Sequence, residues 1–225
     1  MNVKTATSLT RNAGIFWISS ALLMVFFMLH HPSTQSSGIG EALSEISSEG
    51  HLSAWVHGML ILVMVGIWFG GYGLTGRLGC KRAWPLLGLM LFSLGTLGYI
   101  LAAMVSGFIV PQIGAQYADA APEAVEQARA LLSLSGIINQ AFANAGLVGS
   151  SAGILCWSLA LVVRPGIVRI AGLIGILAGA VPIAMLLTGH LVLHLTGMTL
   201  VVVADSIWYL FTGALMVWGP LRDSD

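Results

Sequence analysis

Ile170–Leu187 reads IAGLIGILAGAVPIAMLL, eighteen residues without one charged side chain. A surface helix of a soluble protein keeps a polar face, and a helix apolar all round is buried in protein or in lipid. About 20 such residues cross the ~30 Å hydrocarbon layer of a bilayer. Extended to residues 167–194, the run takes in only Arg169. Working outward, five more stretches have the same character, at about 12–31, 52–75, 84–110, 135–162 and 198–219. Their apolar residues are continuous and do not alternate with period two, so helices are expected and barrel strands are not.

Composition agrees. The 225 residues are 57% hydrophobic and 8% charged, with a mean hydropathy of +0.91; a soluble protein carries roughly a quarter charged residues. The expected fold is an all-α integral membrane protein, a compact bundle of six transmembrane helices with residues 1–225 as one membrane domain. Nine basic residues balance nine acidic ones. That leaves no basic stripe to displace counterions from phosphates, so no nucleic-acid partner is expected.

The basic residues orient the chain. Lys4 and Arg11 precede the first span, and Arg77, Lys81 and Arg82 lie between the second and third. Arg164 and Arg169 flank the turn between the fourth and fifth, and Arg222 follows the sixth. Glu41, Glu45, Glu49, Asp119, Glu123 and Glu126 occupy the opposite side, where Arg129 is the one basic residue. By the positive-inside rule both termini are cytoplasmic, and the setting is a cell inner (plasma) membrane of bacterial type. The first span ends Leu29-His30-His31-Pro32 with no small-x-small cleavage site, so it is read as a retained helix rather than a signal peptide. Cys80 and Cys156 form no CxxC motif and are given no role.

Two outer segments carry amphipathic patterns. In residues 38–50, Ile39, Leu43 and Ile46 recur at helical spacing opposite Glu41, Glu45 and Glu49, which suits a helix on the membrane surface or capping the bundle. Asp119-Ala-Ala-Pro122-Glu123 reads as a helix start, giving a short outer helix over about 120–132 with Gly136 marking its join to the fourth span. Ala145, Gly149 and Gly153 make a small-residue ridge on the fourth span, and Gly172, Gly175 and Gly179 another on the fifth. These two spans are expected to pack closely. Pro182 is expected to bend the fifth span. A faint repeat lays Ala54-Trp-Val-His57 on Ala141-Phe-Ala-Asn144, each twenty residues before an arginine, Arg77 and Arg164.

All six histidines fall at or near the outer side. His190 and His194 are four residues apart, so on a continuous helix both rings share a face, as in metal sites that take two ligands from one helix. His51 and His57 diverge by roughly 120° around a helix, whereas Ser53 shares the face of His57. Asp205 lies one or two turns into the sixth span, where an ionisable group is a functional candidate by default. Asn139, Gln140 and Asn144 sit at matching depth. The expected metal ligands are His57, His190 and His194, with His30 and His31 in reserve. Asp205 is a fourth ligand, a base or a histidine orienter, and Ser53 a catalytic neighbour. Imidazole with a carboxylate suits zinc, iron or copper. Alternatively His57 with His190 or His194 clasps a haem b, the small neighbours Gly58 and Gly189 admitting the porphyrin. The bland account of His30, His31 and His51 is half-solvated residence among the headgroups. Trp17, Trp55, Trp68, Trp84, Tyr99 and Trp208 are read as anchors and packing, and the ten methionines, without an MxxM run, as no copper relay.

Ser53-x-x-x-His57 together with His190-x-x-x-His194 resembles the SxxxH and HxxxH elements of the zinc-dependent membrane hydrolases that include alkaline ceramidases and adiponectin receptors. The resemblance covers about ten residues. It implies a zinc ion on three histidines, activating a water to attack an amide. The chain departs from that family in having six spans rather than seven, and in placing its aspartate in the last of them. The function expected is therefore that of a metal- or haem-binding membrane enzyme or redox protein acting on a lipid-soluble substrate or quinone, in contact with membrane lipids and able to form a homo-oligomer or larger membrane complex. Two alternatives stand beside it: a proton-coupled transporter or channel using Asp205 and the histidines, and a structural subunit of a membrane complex.

Overall fold

A computed structural model describes residues 3–32, 36, 38–219 and 221. Arg222 lies outside the described residues, and with it one of the charges used for orientation. Among the described residues there are eight α-helices: α1 (Val3–Leu29), α2 (Ile39–Ser48), α3 (Gly50–Leu78), α4 (Ala83–Met104), α5 (Val110–Tyr117), α6 (Pro122–Val162), α7 (Ile167–Leu187) and α8 (Leu195–Trp218). A single π-helical turn, Val105–Ile109, joins α4 to α5 without a break. Six rods are long and apolar enough to cross a membrane: α1, α3, α4 continued through α5, α6, α7 and α8. The protein is a multi-pass helical membrane protein.

The six rods close into a ring in chain order. α1 packs on α3, α3 on α4, α4 on α6, α6 on α7, α7 on α8 and α8 back on α1. Their outward faces suit lipid: Leu62, Leu94, Leu177 and Leu200 are 64–65% exposed. A soluble protein would not leave such side chains in water on every helix. At one end, the basic end, stand Arg77, Lys81, Arg82, Arg164 and Arg169; the other, the histidine end, carries α2 and the α7–α8 connection.

Two elements differ from expectation at the histidine end. The third span does not stop before Pro111 but continues to Tyr117, because the π-helical turn just ahead of it accommodates the missing proline N–H. Nor is there a separate helix over 120–132 joined at Gly136. α6 runs unbroken for 41 residues, about 60 Å at 1.5 Å per residue, roughly twice the hydrocarbon thickness. The surplus stands clear of the bilayer and is held by its own small core. There Leu43 of α2, Ile113 of α5 and Ala128 of α6 are buried together, with Ile39, Tyr117, Val125 and Leu132 around them. The amphipathic α2 thus caps the bundle. A Cβ added at Gly136 meets nothing within 4 Å. Gly136→Ala is therefore expected to stabilise the protein by about 0.5–1 kcal/mol through helix propensity, read as a raised thermal midpoint in detergent.

Glycines set the closest approaches. Gly88, Gly95 and Gly98 of α4 lie against Gly146, Gly149 and Gly153 of α6, backbone to backbone. The ridge read on the fourth span therefore serves α4 and not α7, and Ala145, its expected third member, is exposed. The α7 glycines do face α6: Gly172 meets Val162, Gly175 meets Ser158, and Gly179 meets Ser151. The fourth and fifth spans are close, as expected.

Toward the basic end an aromatic plug fills the centre of the ring. Trp17, Trp157 and Trp208 are all fully buried. The Trp157 and Trp208 rings stack at 6.3 Å, and Trp17 meets both edge-on. Trp157 donates its indole N–H to Thr75 Oγ1 at 2.9 Å, and Trp208 donates to the carbonyl of Ala171 at 3.0 Å. Large apolar rings make a dense seal; the Trp157 and Trp208 tips are satisfied, while the buried Trp17 indole N–H has no partner. Phe92 and Tyr209 lie on its upper surface, against Trp157 and Trp17.

Candidate metal centre

Above the plug the ring encloses a cavity of about 240 Å³ that reaches toward the histidine end. Among the described residues, His57 and Asp205 are the only Asp, Glu, His, Lys or Arg side chains that are buried, and both line it. His31, His194, Tyr99 and Asn139 line it too. Burying ionisable groups is costly, so their collection around one cavity makes it the candidate functional site.

His31 follows the end of α1, and His57 lies two turns into α3. Their Nε2 atoms are 3.0 Å apart. His31 donates its Nδ1–H to the carbonyl of Pro32 at 2.7 Å, and His57 donates its Nδ1–H to the carbonyl of Ser53 at 2.8 Å. Carbonyl oxygens only accept, so each neutral ring carries its proton on Nδ1 and presents a bare lone pair at Nε2. Two lone pairs facing at 3.0 Å repel unless a cation lies between them, either a proton or a metal ion. Burial pushes the pKa of His31 down, against a smaller upward pull from its Pro32 hydrogen bond. Two imidazole nitrogens on a tetrahedral ion at about 2.0–2.1 Å are about 3.3 Å apart. A shift of a few tenths of an ångström would admit one.

The backbone around His57 is shaped for it. A Cβ on Gly107, in the π-helical turn, would run into the imidazole, 2.7 Å from its Cγ. π-helical turns recur at functional sites because they re-aim a helix face. In that register the amide of residue 111 would bond the carbonyl of Ser106, but Pro111 has no N–H. The freed carbonyl accepts the Ser53 hydroxyl at 3.4 Å, a long contact. Ser53 thus holds His57 chiefly through its main chain. Its hydroxyl is 3.4 Å from His57 Nδ1, too far for the close partnership a catalytic serine needs.

His190 and His194 do not share a helical face. α7 ends at Leu187, where Gly189 takes a left-handed φ of 74° and the amides of Gly189 and His190 bond back to Leu186 and Met185 at 3.1 and 2.9 Å. This is a Schellman stop. His190 is left exposed, bonded to Thr188 Oγ1 at 3.0 Å, and does not line the cavity. His194 does line the cavity, but its Nδ1 accepts the amide of Gly197 at 3.2 Å and caps α8. The HxxxH element of the zinc-hydrolase resemblance is therefore not formed. The haem clasp of His57 with His190 is not assembled either. His30 turns outward, stacked on Phe26 at 4.4 Å, and His51 is exposed. Asp205 makes no hydrogen bond to a histidine; its Oδ1 has no partner. No group of three His, Cys, Asp or Glu side chains among the described residues converges within reach of one ion.

The sequence reading missed the methionines. Met24 and Met28 of α1, Met64 of α3 and Met198 of α8 all line the cavity. Individually they carry no motif, and only the ring closure gathers them. A smaller pocket of about 160 Å³ lies on the other side of the pair, lined by His31, His57, Glu49 and Ser53 among others. The two imidazoles are thus a shared wall between an acidic vestibule and the deep cavity.

No protein-family model matches the sequence, and no curated protein or solved structure matches it.

Proposed function

We propose that this chain holds a transition-metal ion, copper(I) by preference, between His31 and His57, just beneath the extracytoplasmic face of a bacterial-type inner membrane with both termini cytoplasmic. The observation that carries this reading is the pair of Nε2 atoms facing at 3.0 Å while both Nδ1 atoms are committed to carbonyls. Fixing the outer nitrogen on a carbonyl is how metal-binding histidines are usually oriented. Copper(I) accepts few ligands and favours imidazole and thioether, which matches two histidines among four cavity-lining methionines. Zinc and iron prefer more nitrogen or oxygen donors than the pair supplies. A porphyrin would need its two axial nitrogens about 4 Å apart with the ring between them, and the pair leaves no room for it. Orientation rests on the basic end, which the positive-inside rule makes cytoplasmic. Glu49 in the vestibule supplies the negative field that draws a cation from outside.

The test is stripping the purified full chain with a chelator, then titrating it with copper(I) or zinc against a chromophoric competitor. One copper(I) per chain, bound tighter than zinc, is the expected result. A folded protein that takes up neither metal in stoichiometric amount overturns the reading.

A second reading has one observation in its favour: the histidine pair separates the vestibule from the cavity that contains Asp205. A relay of protons or cations from outside could reach mid-membrane along that line. Past Asp205, however, the buried residues toward the basic end include Thr75, Ser158, Thr212 and the tryptophan plug, with no buried charge among the described residues. Proton flux in liposomes, lost in Asp205→Asn, would favour transport over metal holding.

A further inference from the structure

Asp205 has no function in the metal centre just described, and its setting is unusual. It lies ten residues into α8, about 15 Å along the helix, so it is well inside the hydrocarbon layer. It is 4% exposed, it lines the cavity, and its Oδ1 has no hydrogen-bond partner. One more cavity-lining group shares that condition, the Tyr99 hydroxyl on α4; the Asn139 Oδ1 on α6 is unmet too, but it lies about 10 Å beyond Gly146, which packs on Tyr99, toward the histidine end. An unmet buried acceptor loses its full solvation free energy, and native proteins rarely leave one. Here two unmet groups, from α8 and α4, line the same cavity.

We propose that the floor of the cavity binds a small, largely apolar ring compound carrying hydroxyl donors, of the hydroquinone class. The unmet carboxylate oxygen is an acceptor, so the missing partner brings a donor, and the Tyr99 hydroxyl can pair with a second hydroxyl. The rest of the lining near them is Phe92, Tyr209, Ile67 and Val201, which offers ring faces and alkyl groups and suits a stacked aromatic ring. An apolar cavity of about 150 Å³ accommodates benzene; one of about 240 Å³ admits a ring with several substituents. A cationic amine would also bring donors, but it would require two charges to be desolvated together. A neutral hydroxyl satisfies the carboxyl oxygen whether or not Asp205 carries a proton. The aromatic plug closes the space toward the basic end, so the ligand comes from the membrane or from the histidine side. The site goes beyond the metal reading and does not require a bound metal.

The test uses the full chain in nanodiscs under anaerobic conditions, with chelator present, and isothermal titration with tetramethylhydroquinone. The comparison compound is tetramethylbenzene, which has the same shape without hydroxyls. One equivalent of the hydroquinone is expected to bind at least roughly tenfold tighter than the hydrocarbon, and Asp205→Leu is expected to remove that advantage. Asp205→Asn keeps an acceptor oxygen and is expected to retain binding within about threefold. If Asp205→Leu fails to fold, Tyr99→Phe and the hydrocarbon comparison on the unaltered protein decide the matter. Equal binding of the two compounds, binding of neither, or preference for phenethylamine overturns the proposal. His31→Ala is expected to abolish metal uptake and leave hydroquinone binding intact, so the two readings fail separately.

Discussion

His57→Ala is expected to weaken copper(I) binding by more than about 100-fold, because losing an outer partner of a metal ligand alone costs about 10–100-fold and this change removes the ligand itself. His31→Ala is expected to match it, since the two Nε2 atoms face each other across 3.0 Å and neither can hold the ion alone. His30→Ala, His51→Ala and His190→Ala are expected to leave affinity within about threefold, because those rings are exposed and point away from the pair. Ser53→Ala belongs with them: the group that orients His57 is the Ser53 carbonyl, at 2.8 Å, and alanine keeps it. Gly107→Ala is expected to weaken binding with the silent histidines untouched, since the added methyl displaces the His57 ring. His194→Ala separates structure from chemistry. It removes the cap of α8 at a cost of about 1 kcal/mol, read as a lower thermal midpoint, and leaves metal affinity within the same threefold. Competition with a chromophoric copper(I) chelator checks the series. Equal affinity in His57→Ala and the unaltered protein would end the case for this centre.

That series differs from the ligand set the sequence suggests, and the reasons are physical. Apolar run length placed the six spans, because the bilayer imposes one thickness on every crossing helix. The amphipathic pattern around Leu43 foretold α2, whose apolar face is the one buried. The HxxxH pair was misread because i to i+4 spacing means one face only if the helix continues. Thr188-Gly189 stops it, and glycine just past a helix end is a signal the sequence did carry. His31 is harder to find. His30 and His31 are neighbours at a helix terminus, and which one turns inward depends on the chain path into Pro32. The methionines come from three helices, and no spacing rule links Met28, Met64 and Met198. Continuity of α6 through Gly136 depends on support from α2 and α5 above the membrane, a tertiary effect that overrides a local helix breaker.

The second large effect is expected far from any ligand. Gly95→Leu should prevent the bundle from closing, and even Gly95→Ala should cost about 1–3 kcal/mol, the usual range for overpacking. At Gly95 an added Cβ meets the Ser150 amide, and lies 2.7 Å from the Gly149 carbonyl carbon and 2.8 Å from the Gly146 oxygen. These are backbone atoms on the facing helix. No rotamer change relieves them, so α4 and α6 must separate. Gly76→Ala is the matched control, since a Cβ there meets nothing within 4 Å, and its thermal midpoint in detergent is expected to hold or rise. The consequence reaches the cavity, because α4 supplies Thr96 and Tyr99 to it and α6 supplies Asn139 and Ser150. Spreading the two helices widens the floor, where the Asp205 carboxyl and the Tyr99 hydroxyl have to meet one small ligand, while His57 is packed against Gly107, about 18 Å further along the same rod. Gly95→Ala should therefore reduce hydroquinone binding more than copper(I) binding. An equal loss of both would mean that the ring deforms as one unit, with no separate contribution from the α4–α6 contact.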